Sequence, residues 1–268
     1  MNNLHRELAP ISDAAWAQIE EEAARTLKRH LAARRVVDLV GPKGVDFPAV
    51  GTGHLLPVAA PGEGIRSAQR EVQPLVELRV PFELSRQAID DVERGALDSD
   101  WDPLKAAAQV LAFAEDRAVF DGYPAAGIGG IRPGSSNRAL SLPTQVAGYS
   151  GTVAQAISLL RLAGVEGPYA LVLGTDAYTL ASGGSDEGYP EIHHLERIVD
   201  GGIIWAPAIE GGLVLSTRGG DFELAVGQDV SIGYARHDTT TVELYFQETF
   251  TFRLLTAEAS VALAAPAR

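Results

Sequence analysis

Hydrophobic residues recur along this chain in two rhythms. From Ser12 to Arg35 the apolar positions Trp16, Ile19, Ala23, Leu27 and Leu31 fall at helical spacing behind a Ser12 or Asp13 cap, which predicts one helix over that span. Glu20, Glu21 and Glu22 lie towards its front and Arg25, Lys28, Arg29, Arg34 and Arg35 towards its back, as the helix dipole favours. A second, longer helix is predicted from Asp102 and Pro103 through Leu104, Ala107, Ala108, Leu111, Ala114 and Ala118, stopping before Gly122 and Pro124. The other rhythm is strict alternation. Val76, Leu78, Val80, Phe82 and Leu84 alternate with Glu77, Arg79, Pro81 and Glu83, giving a strand with one dry face, after which Ser85 caps a short helix ending at Gly95. Thr241 to Leu255 predicts an unusually long strand. Its Val242, Leu244, Phe246, Phe250, Phe252 and Leu254 share a face that Glu248 interrupts.

Between these elements the texture changes. A short strand is predicted at Val36 to Val40, and from Gly41 to Gln73 the chain is rich in Gly and Pro with no sustained period. Val45, Phe47, Val50, Leu55, Leu56 and Val58 are too apolar for a free linker, so this segment reads as an extended two-stranded arm lying on another subunit. From about Gly127 helices and strands alternate. Helices are expected at Thr152 to Ala163, near Thr175 to Leu180 and from Pro190, and strands at Tyr169 to Leu173, Ile203 to Trp205 and Leu213 to Ser216, forming a compact mixed unit inserted in the chain.

With 268 residues and 46% apolar content, the chain can bury the core of one large domain or two modest ones. A formal charge of -13 argues against a nucleic-acid binder, because phosphate recognition needs a surplus of Lys and Arg. The absence of cysteine removes disulfides, thiolate metal sites and cysteine nucleophiles, and it fits a reducing compartment. No basic segment followed by an apolar run stands at the start, and no run of eighteen apolar residues occurs, so a soluble, cytoplasmic protein is expected, with no membrane partner.

The passage "SDEGYPEIHHLE", Ser185 to Glu196, gathers carboxylates, histidines and a tyrosine. His193 and His194 are adjacent, so on a helix they diverge by about 100° and cannot share a metal; a surface hydrogen bond from His193 to Glu196 is the simpler expectation. "GPKG" at Gly41 to Gly44 and "GIGGIRPGSSN" lack the spacing and ending of phosphate-cradling loops. There is no Gly-x-Ser-x-Gly elbow and no His-Glu-x-x-His helix, and the residues give no positive case for an enzyme.

At Arg218 to Tyr234, "RGGDFELAVGQDVSIGY", the chain resembles the encapsulins, and the similarity runs over essentially its whole length. "LAPIS" with Trp16, "RRVVDLVGPKG", "PLVELRVPFEL", "IDDVERG", "AEDRAVFDGY", "GPYALVL" and "ETFTF" stand in that family's order and spacing, while "STRGGDF" and "SDWDP" resemble its actinobacterial, linocin-like branch. The resemblance implies an α+β chain with the tailed-phage major capsid protein fold, of the Hong Kong ninety-seven phage type, comprising a peripheral domain, an extended loop and an axial domain. On that template residues 1–47 are the amino-terminal helix and start of the peripheral domain, 48–71 the extended loop, and 72–134 the peripheral domain with its spine helix. Residues 135–220 are then the axial domain, 221–256 the returning peripheral strands, and 257–268 a carboxy-terminal segment on the axial domain.

The resemblance also implies a function. The chain would be a non-enzymatic shell subunit, self-assembling in sixty copies into a hollow icosahedral particle around a cargo enzyme. In actinobacterial relatives the implied cargo is a dye-decolourising peroxidase, with ferritin-like proteins next, so haem or iron belongs to the cargo alone. The cargo's targeting peptide would dock on Leu27, Leu31, Arg34 and Asp38 on one side and Asp229, Val230, Ser231, Ile232 and Tyr234 on the other. Ser182, Gly183, Gly184, Ser185, Asp186, Glu187, Gly188 and Tyr189 would form the loop at a fivefold pore, with Asp186 and Glu187 supplying a carboxylate ring that favours cations. Some relatives stack a flavin on a tryptophan where this chain has Gln87, which speaks against a flavin here. The alternatives are a phage-type capsid protein and a hydrolase or bacteriocin-like protein.

Overall fold

The computed structural model describes residues 3–186 and 189–266. Ser12 opens helix α1 (Asp13–His30) by accepting the Ala15 amide on its hydroxyl. The helix ends at His30 and not at Arg35. Just beyond it the Asp116 carboxylate accepts the amides of Ala32 (3.0 Å) and Ala33 (2.9 Å), and the chain turns through a single 3₁₀ turn, Ala33–Arg35. Those two bonds satisfy donors that a continuing helix would have bonded internally. Strand β1 (Asp38–Val40) follows, then the arm, whose strands β2 (Ala49–Val58) and β3 (Ser67–Pro74) pair antiparallel with each other.

Strand β4 (Val76–Ser85) leads into α2 (Arg86–Glu93), where the Ser85 hydroxyl accepts the Gln87 amide, and then into the long α3 (Asp102–Phe120), which carries Pro103 in its first turn. The inserted unit contains α4 (Ile131–Gly134), β5 (Leu140–Ser141), α5 (Tyr149–Leu162), β6 (Tyr169–Leu173) and α6 (Thr175–Gly183). It continues through the short hairpin β7 (Ser185–Asp186) and β8 (Tyr189–Pro190), α7 (Glu191–Ile198), β9 (Ile203–Trp205) and β10 (Gly212–Ser216). The chain finishes with β11 (Phe222–Val226), β12 (Ser231–His237), β13 (Thr241–Leu254) and β14 (Ser260–Ala264).

Two five-stranded sheets form among the described residues. In the first, the 14-residue β13 is the spine: β4 runs antiparallel along one edge, β11 and β12 follow the other, and β1 adds parallel to β11. The second has the order β5-β14-β10-β6-β9, so the final strand β14 closes onto the inserted unit.

The hydrophobic interior has two parts. One cluster joins Trp16, Ile19 and Ala23 of α1 to Phe82 and Leu84 of β4, Leu104 and Leu111 of α3, and Val242, Leu244 and Phe246 of β13. The larger one joins the second sheet to Val119 and Phe120 of α3 and to Phe250 and Phe252 of β13. Phe246 is wholly buried, with its ring centroid 5.0 Å from that of Phe82. Truncation here leaves a cavity that the first sheet, α1 and α3 cannot collapse to fill. Phe246→Ala is expected to destabilise the subunit by about 3–5 kcal/mol and to lower the melting temperature by roughly 10 °C in calorimetry; an unchanged melting temperature would contradict this packing.

Candidate docking cleft and pore hairpin

Each of three elements crosses from one hydrophobic cluster to the other, and at each crossing stands a polar side chain, buried in α3 and β13 and partly buried in the turn after α1. On α3 these are Glu115 and Asp116, on β13 Glu248, and in the turn after α1 Arg34. Arg34 Nε lies 2.9 and 3.0 Å from the two oxygens of Glu115, Nη1 donates to Asp229 Oδ1 at 2.7 Å, and Nη2 reaches both Glu115 and Glu248 Oε2, the latter at 3.2 Å. Planarity lets one guanidinium serve three carboxylates at once. Glu115 and Glu248 are fully buried, whereas Asp229 is half exposed and marks the solvent end of the network.

The protonation of this cluster follows from its burial. Burial works against the charge of Arg34, but the hydrogen bonds and charges of Glu115 and then Asp229 outweigh it and raise its pKa. Glu248 is raised well above the usual carboxylate range, first by burial and then by the negative charge of Glu115. Its Oε1 has no hydrogen-bond partner among the described residues. Asp116 is pushed up to about 7 by burial, against the opposing bonds from the Ala33 and Ala32 amides.

Beside this network, residues of α1 and of the β12 region pack on the same smaller hydrophobic cluster. Leu27, Val230 and Tyr234 are partly buried and pack on the smaller cluster, so their outer faces are accessible. Leu31 and Ile232 belong to the interior, at 9% and 6% exposure. Ser231 Oγ donates to the Asp229 carbonyl at 2.7 Å, and Asp229 Oδ1 also accepts the Val230 amide. The Tyr234 hydroxyl lies 2.6 Å from His237 Nδ1, while its amide donates to the Leu4 carbonyl at 2.8 Å. Arg6 stacks on Trp16 and pairs with Glu20, so the first residues bridge from β12 to α1 at that end of the shared face. Asp38 is engaged elsewhere: it accepts the Gly220 amide at 2.6 Å, where β1 pairs with β11. The structure thus brings Arg34 together with Asp229, and sets Asp38 apart from both.

The second candidate region is the hairpin. Ser182 and Gly183 end α6, Gly184 leads out of it, and Ser185 and Asp186 pair with Pro190 and Tyr189. Glu187 and Gly188 lie outside the described residues. Gly184 is required by close approach, since a Cβ there would stand 2.3 Å from Val146 Cγ1. At the foot of the hairpin the buried Glu191 accepts the Ser150 amide at 2.7 Å and donates its own amide to the Gly184 carbonyl. Further along α7, His193 Nδ1 is 2.9 Å from Glu196 Oε2 on the exposed face. Among the described residues no group of three or more His, Asp or Glu side chains could hold a metal. Gln87 lines an open depression with Ser85, Arg86, Asp90, Arg94, Thr239 and Thr240, a lining without an aromatic ring.

A long strand and a long helix that share two cores, with a two-stranded arm that pairs with no other strand among the described residues, match the tailed-phage capsid fold. Solved structures agree. A virus-like particle from Pyrococcus furiosus superimposes with a TM-score of 0.66 over 92% of this chain and 98% of that one at 16% identity, and Mycobacterium phage Bobi does so at 0.56 over 89% and 91%, also at 16% identity. The family model described as "Encapsulating protein for peroxidase" matches residues 1–251, and the type 1 encapsulin shell protein of Rhodococcus erythropolis is 60% identical over 98% of this chain and the whole of that relative. The chain belongs to the encapsulin shell protein family, so its role is structural and not enzymatic. Among the described residues no helix is long and apolar enough to cross a membrane.

The raised carboxylates give the subunit a pH dependence of definite sign. For an acid whose folded pKa is raised, the contribution to stability is full below the unfolded value near 4, and it is lost as pH rises through the folded value, about 7 for Asp116. The stability of the wild type relative to Asp116→Asn is therefore expected to fall between about pH 4 and about pH 7, read as the difference in melting temperature of the two proteins. A difference that stays constant with pH would mean that Asp116 is ionised throughout.

Proposed function

We propose that the chain builds a closed icosahedral compartment of sixty copies, the smallest such shell, in which the cleft between α1 and β12 captures the targeting peptide of a cargo enzyme and the hairpin copies line a fivefold pore. The observation that carries this reading is the face that α1 and the β12 region share over the smaller cluster. It offers accessible apolar faces on Leu27, Val230 and Tyr234 beside a charged pair, Arg34 and Asp229, whose solvent end can orient a peptide. Leu31 and Ile232 support the floor from within the core. Asp38, which accepts the Gly220 amide, supplies a further carboxylate on this reading, and Ser231 holds the turn at Asp229. The cargo is a dye-decolourising peroxidase, in keeping with the family's description, with ferritin-like proteins next. Weak single contacts suffice, because a multimeric cargo tethers several peptides to one wall and gains about 100-fold or more in apparent affinity.

In the assembled particle the arm, residues 48–71, lies on a neighbouring subunit, and the unit 135–220 with the returning strand β14 forms the axial domain around the pore. Asp186 and Glu187 place a ring of carboxylates there that admits cations. The subunit itself works without cofactor, haem and iron being the cargo's, and the depression at Gln87 has no ring on which a flavin would stack. The compartment acts in the cytoplasm by confinement, passing ions and small substrates while holding macromolecules apart.

Two outcomes test this reading. Val230→Glu sits at a partly exposed position, so shells should still form, while cargo retained per shell after co-production with the peroxidase falls by about tenfold or more because a carboxylate must be desolvated on docking; undiminished loading by gel densitometry would remove the cleft from consideration. In empty shells the Asp186→Asn, Glu187→Gln pair should slow entry of a terbium probe to an interior chelator without changing entry of a neutral dye, and equal slowing of both would count against an electrostatic pore.

A further inference from the structure

We propose that Arg253 and Gln73 pin the root of the arm at a fixed angle and that this pin, acting through the arm, holds the shell to a single size. The inference rests on the reading that the arm engages a neighbouring subunit. Strands β2 and β3 pair with no other strand, and a two-stranded ribbon alone has little stability and no fixed direction. Its direction is set where it meets the end of β13. The Phe252 carbonyl accepts from Gln73 Nε2 at 2.7 Å, and the next residue, Arg253, sends Nη1 to the Gly51 carbonyl at 3.2 Å. The same guanidinium is held by Glu223 of β11, with Nε at 3.1 Å and Nη2 at 2.6 Å from one carboxylate oxygen. One bond therefore falls on each strand of the arm. Added to the covalent run of β3 into β4 and the Leu75 amide bond to the Pro48 carbonyl at 3.0 Å, these two attachments restrain both its tilt and its rotation.

Past the pin the ladder breaks. Its register shifts between Gly51 and Leu55, where Gly53 takes φ +84° and the Thr52 hydroxyl donates to Glu71 Oε2 at 2.7 Å, and it then resumes from Leu55 paired with Arg70 to Val58 paired with Ser67. The outer part carries exposed Leu55, Leu56 and Val58, apolar faces that only another copy of the chain can cover in the assembly. At about 3.3 Å per residue the span from Gly51 to Val58 is about 23 Å, so an angular error of about 10° at the root moves the outer ladder by about 4 Å. Close-packed interfaces do not absorb displacements of that size. Because the angle between neighbouring copies decides whether and where a ring of contacts closes, looseness at the root becomes a spread of closures.

The test measures particle diameters by cryo-electron microscopy and particle masses by mass photometry. Glu223→Gln alone keeps the Arg253 bond to Gly51 and should give one wild-type diameter. Arg253→Met with Glu223→Gln removes the pin without leaving an unpaired carboxylate, and the fraction of particles at the wild-type diameter should fall by about twofold or more, replaced by open and mis-sized shells. Should that double variant be insoluble, Arg253→Lys, which can keep the Glu223 pair but cannot also reach Gly51, is expected to broaden the diameters in the same direction. Uniform wild-type diameters in the soluble variant, even with a lower melting temperature, would overturn the pin and leave Arg253 a merely stabilising residue. Deleting residues 48–70 separates the two readings: closed shells after deletion would defeat the arm contact itself, whereas failure to close beside uniform shells of the Arg253 variant would defeat the pin alone.

Discussion

Arg34 joins the two halves of this molecule electrostatically. The residues of β13 that face inward pass from Val242, Leu244 and Phe246 in one hydrophobic cluster to Phe250 and Phe252 in the other, and Glu248 stands at the change. On α3 the change falls at Glu115 and Asp116, between Leu111 and Ala118. These carboxylates would be intolerable in isolation, since an unpaired buried charge is among the most unfavourable features a core can hold. Arg34 satisfies Glu115 and Glu248, and Asp116 finds the two free amides that follow α1. Buried ion clusters add little net stability relative to apolar packing, and their effect here is on uniqueness. Slipping β13 by one residue would turn Glu248 to the opposite face and every phenylalanine with it.

That cluster also marks the limit of what the amino-acid pattern reveals. The long elements were legible because their periods run for many residues: β4, α3 and β13 lie where alternation and helical spacing place them, and β6 and β9 have the expected ends. Glu248 is visible as a break in an apolar face, but its partner Arg34 is 214 positions away, and no local spacing signals the pair. The end of α1 was misplaced for the same reason, because the carboxylate that stops it belongs to α3, 83 and 84 positions on. Strands β5, β7, β8 and β14 are too short or too uniformly buried to show a period. Among the site residues, Leu31 and Ile232 share the pattern of Leu27 and Val230, and only packing tells the floor of the cleft from its walls.

The remaining architecture divides between a body whose apolar faces are covered within one chain and an arm whose apolar faces are not. Ion pairs of the body close at short range in space, as with Arg218 and Asp221 or Arg253 and Glu223. The arm exposes Leu55, Leu56, Val58, Ile65 and Val72 instead. A monomeric protein that kept this surface in water would be prone to association, so membership of a shell family and the exposed arm are two expressions of one design.

For a peptide lying between α1 and β12, the same cluster fixes what can be recognised. Arg34 is committed on its inner side to Glu115 and Glu248, and removing it from them would strand buried carboxylates. Only the Nη1 edge, now on half-exposed Asp229, faces the cleft. An incoming carboxylate that displaced Asp229 would exchange one charge-assisted hydrogen bond for another while returning Asp229 to water, a nearly neutral exchange. An incoming lysine would be drawn to Asp229 but repelled by Arg34 directly behind it. Charge at this point therefore discriminates weakly, and on the proposed reading affinity comes from apolar side chains meeting Leu27, Val230 and Tyr234.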